Sequence, residues 1–299
     1  MAPKRGPSAS GGRPPAGRGV ATVAAVAAVV GLVAWWLAGA ASGAPAAPPA
    51  SARPPAADTH ANKAFDHWTG EEASDSGVLG GALITHEPDV AASLAFLRTH
   101  LPGKADDAWR RGRGLVALDC GAGVGRVSKN VLAPLGVATV DLVEPQQHMV
   151  AEARKNLAAD GPAIRHVFLQ SLENFTPTER YDLIVIQWVL QYISTQEVEQ
   201  FMGRLRAAVA APAANGDGDG TSDGNKTTRG PRWKKPLVFW KENYSHRGQS
   251  FVHSRDGSYT RTDEEHRAIF RRTGWKIRAE AVQTPWPDTY FPVKMYLLV

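Results

Sequence analysis

The stretch LDCGAGVGRV, from Leu118 to Val127, constrains this chain more than any other. It is an apolar run, a Gly-x-Gly-x-Gly loop and a helix start in immediate succession, and glycines there let backbone turn sharply and approach a ligand closely. The apolar run LVALDCG (Leu115 to Gly121) has counterparts in TVDLVEP (Thr139 to Pro145), RHVFLQ (Arg165 to Gln170), YDLIVIQWV (Tyr181 to Val189) and PLVFWKEN (Pro236 to Asn243). Short apolar runs of this kind read as buried parallel strands. Helical stretches are expected between them at Arg126 to Leu135, Gln147 to Leu157 and Thr195 to Ala210, the last with Val198, Phe201, Met202 and Leu205 at helical spacing. Strands alternating with helices imply a parallel sheet covered on both faces. WKIRAEAVQ (Trp275 to Gln283) and FPVKMYLLV (Phe291 to Val299) are separated by TPWPDTY alone, too little for a helical crossover, so they are expected to pair antiparallel.

Charge narrows the partners. The 299-residue chain has a formal charge of +5, yet all of that excess lies in residues 1–57, which hold Lys4, Arg5, Arg13, Arg18 and Arg53 and no acid. The remainder carries 29 basic and 29 acidic side chains, so the folded part lacks the basic footprint of a nucleic-acid binder. The lone Cys120 excludes an intrachain disulfide framework and a cysteine-rich zinc site, and no metal site is expected.

Residues 1–19 read as a basic disordered tail. VATVAAVAAVVGLVAWWLAGAAS (20–42) is uncharged and long enough to cross a bilayer as a helix, with Trp35 and Trp36 at its interfacial end. A membrane anchor is the leading expectation; a cleaved signal peptide and an organelle transit peptide are the alternatives. Residues 43–60 read as a Pro/Ala linker, 61–299 as the globular domain, and 212–235 (PAANGDGDGTSDGNKTTRGPRWKK) as a disordered surface insertion within it.

The glycine loop also discriminates between cofactors. A dinucleotide site wants a third glycine where this chain has Arg126, and Asp119 stands beside the loop, where its carboxylate would repel a pyrophosphate. A cofactor with a cationic amino group and a carboxylate suits Asp119 and Arg126 better, and Glu144 after the second strand can accept from both ribose hydroxyls. Asp119, Gly121 and Gly123 of the loop, and Glu144 together favour S-adenosylmethionine (SAM) over a nicotinamide. The fold that fits is α/β: a Rossmann-like class I SAM-dependent methyltransferase, with a mostly parallel seven-stranded sheet finished by an antiparallel hairpin, preceded by the N-terminal hydrophobic segment.

LDCGAGVGRVSKNVLAPL, NFTPTERYDLIVIQWVL and FWKEN together resemble the α-N-terminal protein methyltransferases, over roughly Phe65 to Val299 apart from the insertion. That family transfers methyl groups from SAM to the α-amine of proteins that begin X-Pro-Lys or X-Pro-Arg once Met is removed. The resemblance implies that Gly121, Arg126, Glu144, Pro145, Gln146, Leu172, Glu173 and Gln187 line the cofactor site. It further implies that Leu79 and Gly80 cover the cofactor and peptide entrance, that Trp68 is an aromatic lid, and that Trp188 forms a flat wall for the acceptor's proline. Asn243 would orient the incoming N-terminus and Asp256 would be the catalytic acid.

Two positions depart from the family pattern. Tyr192 stands where a histidine commonly acts as second base; tyrosine titrates near 10 and is a poor base at neutral pH, but its oxygen can still accept a hydrogen bond, so Tyr192 stays a candidate catalytic residue. His253 stands where the family has another acid, three residues before Asp256; it could supply the lost base or weaken attraction for a basic third residue. Retained activity with altered preference is the expectation. A SAM enzyme with another acceptor and a membrane-tethered protein that binds N-termini without turnover are the alternatives. The chain itself begins Met1-Ala2-Pro3-Lys4, so Ala2 is a candidate acceptor.

Overall fold

The computed structural model describes residues 59–101, 114–210 and 236–299. The tail expected at 1–19, the apolar segment at 20–42, nearly all of the linker at 43–60 and the insertion at 212–235 lie outside those residues. Among the described residues, which do not include 20–42, no helix is long and apolar enough to cross a membrane.

Seven strands form the main sheet: β1 (Leu115–Cys120), β2 (Val137–Val143), β3 (Ala163–Phe168), β4 (Leu183–Gln187), β5 (Leu237–Asn243), β8 (Ile277–Val282) and β9 (Val293–Leu298). β6 (Phe251–Val252) and β7 (Tyr259–Thr260) make a separate small hairpin. The sheet order is β3-β2-β1-β4-β5-β9-β8. The first five strands pair parallel, and β9 enters antiparallel between β5 and β8. β8, antiparallel to β9, therefore runs in the same direction as β5. The C-terminal tips of β1, β2, β4, β5 and β8 thus share one edge of the sheet.

Helices α1 (Thr59–Gly70), α2 (Asp75–Val78), α3 (His86–His100), α4 (Gln147–Leu157), α5 (Thr195–Ala210) and α6 (Asp263–Arg272) surround the sheet. One face buries Leu118, Ile184, Ile186, Val238, Trp240 and Tyr296 against Phe201, Met202 and Leu205 of α5 and Ile269 and Phe270 of α6. The other buries Ala117, Val185, Phe239, Met295 and Leu297 with Phe96 and Leu97 of α3. Alternation along a strand assigns each residue to a face, and the strand runs in the sequence are apolar on both, as a doubly covered sheet requires. The start of α5 is held by a capping box, in which Ser194 N donates to Glu197 Oε2 (2.9 Å) and Glu197 N to Ser194 Oγ (3.3 Å).

The helix expected over Arg126 to Leu135 differs from expectation: its middle is a single π turn, Ser128–Leu132, closed by Ala133 N donating to Ser128 O at 3.0 Å. Two side chains account for it. Asn130 Nδ2 donates to Arg126 O at 2.9 Å, occupying a carbonyl the helix would otherwise use, and Ser128 Oγ donates to Asp119 at 2.6 Å. Such turns recur at functional sites.

Candidate functional site

The tip of β1 is tied to β2 before any side chain is considered: Gly121 N and Ala122 N donate to Val143 O at 2.8 and 3.1 Å. Gly121 has φ +70°, and a Cβ there would lie 2.4 Å from Val189 Cγ2, so no other residue fits. Glu144, just past β2, accepts from Gly123 N through Oε2 and from Gln146 N through Oε1, both at 2.9 Å. Burial pushes the Glu144 carboxyl up to about 7 and that of Asp119 up to about 6, despite hydrogen bonds that favour ionisation. Two buried carboxyls at the tips of β1 and β2 are thus placed to accept hydrogen bonds from a polyhydroxy or amino ligand. Arg126 is buried beside them, with Nη1 2.9 Å from Asp89 Oδ2 in an ion pair that lacks hydrogen-bond alignment. Nη1 therefore has no aligned hydrogen-bond acceptor among the described residues, and a ligand carboxylate can use that donor. These residues fit a SAM-type cofactor.

A buried ionic network lies on the α3 face. Asp89 of α3 is fully buried and touches Arg126 and Lys241. Lys241 Nζ also donates to Asp89 O at 3.0 Å and Ser93 Oγ at 2.8 Å. Gln187 Nε2 donates to Asp89 Oδ2 at 2.8 Å. Burial alone would raise the Asp89 carboxyl, but the charges of Lys241 and Arg126 outweigh it and hold it below the usual range; burial draws Lys241 down to about 8. Both cations also stand over the Trp188 indole, 5.7 Å (Arg126) and 5.8 Å (Lys241) from the ring centroid.

Trp188 is the one described non-glycine residue with positive φ, +56°. An L-residue held there costs on the order of 1–3 kcal/mol unless its surroundings enforce it. Enforcement comes from both sides of the turn that follows. Glu242 Oε1 accepts from Val189 N (3.0 Å) and Leu190 N (2.9 Å), and buried Arg261 donates to Leu190 O (2.8 Å) and Ile193 O (2.7 Å). A carboxylate thus meets the turn's N–H groups and a guanidinium its carbonyls, which is favourable at both ends of the turn's dipole. Tyr192, at the end of this turn, packs edge-on to Trp68 with centroids 5.3 Å apart. Burial, then the nearby charges of Asp256, Glu242 and Glu71, hold its hydroxyl well above its ordinary value.

Asn243 ends β5 on the same face as Lys241. The loop joining β6 to β7 supplies the remaining expected residues. Asp256 Oδ1 accepts from Ser258 N (3.0 Å) and Ser258 Oγ (2.8 Å). His253 Nε2 lies 3.0 Å from Thr260 Oγ1, and its ring packs on Phe251 and Phe291 at 4.9 and 5.7 Å. Burial lowers the His253 imidazole, against the pull of Asp256. Helix α1 contacts both halves of the site: Gln146 Nε2 donates to Phe65 O at 3.0 Å, Trp68 meets Tyr192, and Lys63 Nζ donates to Ser254 O.

The structure thus gathers Asp119, Gly121, Gly123, Arg126, Glu144 and Gln146 at neighbouring strand tips. Pro145 is half-buried between Glu144 and Gln146, and Leu79 and Gly80 lie just past α2 with Gly80 exposed. Leu172 and Glu173 follow β3, their carbonyls held by Arg204 at 2.7 and 2.9 Å. Gln187 spends its amide on α3. Sequence reasoning missed Asp89, Glu242, Lys241 and Arg261. The adjacent charges Lys241 and Glu242 in the apolar strand LVFWKEN were a readable signal for two of them; nothing in HEPDVAAS distinguishes Asp89 from an exposed helix acid.

Comparison with known proteins agrees with this geometry. The profile of a family described as AdoMet-dependent proline di-methyltransferase matches residues 56–214 and 232–299. An "Alpha N-terminal protein methyltransferase 1" from Oryza sativa subsp. indica is 34% identical over 247 residues, covering 80% of this chain and 71% of that protein. The "N-terminal Xaa-Pro-Lys N-methyltransferase 1" of Rattus norvegicus is 29% identical, covering 79% and 94%. A SAM-dependent methyltransferase from Leishmania major superposes with a TM-score of 0.63 at 34% identity, covering 79% of this chain and 82% of that one. With its glycine loop, paired acids and seven-stranded sheet, the chain belongs to the AdoMet-dependent proline di-methyltransferases and uses SAM as methyl donor.

Proposed function

We propose that this protein methylates the α-amine of proteins that begin Xaa-Pro-Lys or Xaa-Pro-Arg. The observation that carries the reading is the match, over about 80% of the chain, to relatives named for that reaction. The site supports it with an aromatic wall, Trp188, and a carboxamide, Asn243, at adjoining tips of β4 and β5, where open α/β sheets bind ligands.

Bound SAM supplies an electrophilic sulfonium methyl. Glu144 would accept from its ribose, Arg126 would bind its carboxylate and Asp119 its amino group, with Gly121, Gly123, Pro145, Gln146, Leu172, Glu173 and Gln187 shaping the cavity. Trp68, Leu79 and Gly80 would close over it. Asn243 would hold the acceptor's first residue and Trp188 would pack on the proline. An α-amine has an ordinary pKa near 8, so a carboxylate that takes or orients one proton is enough to expose the lone pair; Asp256 has that role. His253, lowered by burial, is neutral near pH 7 and would line the pocket rather than attract a basic third residue.

The test uses labelled SAM and a peptide beginning Ala-Pro-Lys-Arg, the order of residues 2–5 here. Methylation of that peptide and none of an Ala-Ala-Lys-Arg control is expected. Asp256→Asn should lower turnover by about 100-fold or more with SAM affinity unchanged; unaltered turnover removes Asp256 from the mechanism. Residues 20–42 extend the reading: as a membrane anchor they would hold the full chain in the membrane fraction through alkaline carbonate, and its release would exclude an anchor.

A further inference from the structure

Gln283 is 2% exposed, and among the described residues neither its Oε1 nor its Nε2 has a hydrogen-bond partner. A buried amide with both ends unpaired is costly, and such groups are rare in native structures unless something else satisfies them. Its position indicates what. Gln283 N donates to Val293 O at 2.9 Å, continuing the β8–β9 ladder one residue past Val282 and Lys294. Val293 is in turn the β5 partner of Asn243. Gln283, Val293 and Asn243 therefore form one row across three strands, and residues directly opposite in an antiparallel ladder project from the same face. Burial along β8 alternates, with Ala279 and Ala281 packed inward and Arg278, Glu280 and Val282 exposed, which sets Gln283 on the inward α3 face. Lys241 lies on that face too.

The residues that follow connect this position to the acceptor slot. The Trp286 ring packs on Trp188 at 5.9 Å, Trp286 Nε1 donates to Phe291 O at 2.9 Å, and Phe291 packs on His253 at 5.7 Å.

We propose that Gln283 binds the main chain of the acceptor protein beyond its second residue. This rests on the reading of the slot as a site for protein N-termini. Strands lie about 4.8 Å apart, so two steps along the row separate Gln283 from Asn243 by about 10 Å. An extended chain advances about 3.4 Å per residue. With the first residue at Asn243, Gln283 meets the acceptor about three residues further on. A carboxamide offers one acceptor and two donors on adjoining atoms, matching the N–H and C=O of an extended backbone whatever the side chain. It would grip the acceptor without reading its sequence, and it acts in binding rather than in methyl transfer.

Gln283→Met keeps the shape and removes the amide. The KM for a six-residue Ala-Pro-Lys-Arg peptide should rise about tenfold, the size of one lost hydrogen-bonding pair, with kcat and SAM affinity unchanged. The Tm of the peptide-free enzyme should hold or rise, since an unsatisfied polar group has been removed. An Ala-Pro dipeptide amide should show no KM difference between the two enzymes. An unmoved KM for the longer peptide overturns the proposal, as does an equal penalty for the dipeptide. A lower Tm, or failure of both Gln283→Met and Gln283→Leu to fold, makes the amide structural and also overturns it. Wild-type turnover of the six-residue peptide is the control. Its absence removes the acceptor reading and this inference with it, whereas normal wild-type turnover with an unmoved variant KM counts against Gln283 alone.

Discussion

Lys241 and Glu242 are neighbours on β5, opposite in charge, both buried, and they project from opposite faces of the sheet. Lys241 faces α3 and ends in a closed network, where Asp89, its carbonyl and Ser93 take the ammonium's donors. Glu242 faces the other way and, among the described residues, has no side-chain cation in contact. Two backbone N–H groups satisfy Oε1, while Oε2 is buried without a hydrogen-bond partner among those residues. The first arrangement compensates charge with charge and links α3 to β5; the second uses hydrogen bonds to shape a single turn. The carboxyls differ accordingly: Lys241 and Arg126 hold Asp89 ionised against its burial, while burial pushes Glu242 up to about 8 with just amides and the more distant Arg261 opposing it.

Paired neutralising substitutions test this contrast. Lys241→Met leaves Asp89 buried with Arg126 as its remaining cation, and removing one partner of a buried ion pair costs about 3–5 kcal/mol. Denaturant unfolding should register a loss of that order. Glu242→Gln keeps an oxygen for Val189 and Leu190 and removes a charge the site disfavours, so stability near pH 7 should hold or rise rather than fall. The pH dependence then separates the two residues further. The folded pKa of Glu242, about 8, exceeds its ordinary 4.5. Its stabilising contribution is therefore complete below pH 4.5 and is lost as pH rises through about 8. Glu242→Gln should abolish that loss, gaining on the wild type as pH increases. Equal destabilisation by both substitutions, with parallel pH curves, would end the distinction.

The same pair shows how far the sequence could be read. The apolar strands were legible because a sheet covered on both faces leaves them no polar side, and the C-terminal hairpin because TPWPDTY is too short to cross the sheet. The cofactor side was legible because its chemistry is local: Asp119, Gly121, Gly123 and Arg126 follow one another in eight residues. The rest depends on distant pairings. Asp89 becomes significant only when α3 brings it to Lys241, 152 positions away, and Arg261 only when it reaches the carbonyl of Leu190 across 71. Gln283 reads as the last residue of a strand until the register with Val293 and Asn243 aligns it with the slot. Local pattern carries no record of such juxtapositions. Of the helices left unassigned, α3 lacks apolar periodicity and is fixed largely by what it packs against, whereas α1 and α6 carry an amphipathic pattern that was legible in the sequence.

Tyr192 tests the comparison at its weakest point, because it lies on the turn that Glu242 shapes yet was expected to share in catalysis. Every influence on its hydroxyl acts in one direction except a hydrogen bond with Gln191: burial first, then three carboxylates, all of which disfavour a phenolate. A group held well above 10 carries its proton throughout the working range of an amine methyltransferase, so it cannot accept one from the acceptor. What remains is the ring, edge-on to Trp68 and joining α1 to the turn. Tyr192→Phe should accordingly leave kcat within about twofold and the pH–rate profile unshifted, while Tyr192→Leu, which removes the aromatic contact worth about 0.5–1.5 kcal/mol, should raise the acceptor's KM. A shifted profile in Tyr192→Phe would return the hydroxyl to the proton path, and would mean that the Glu242 turn positions chemistry as well as shape.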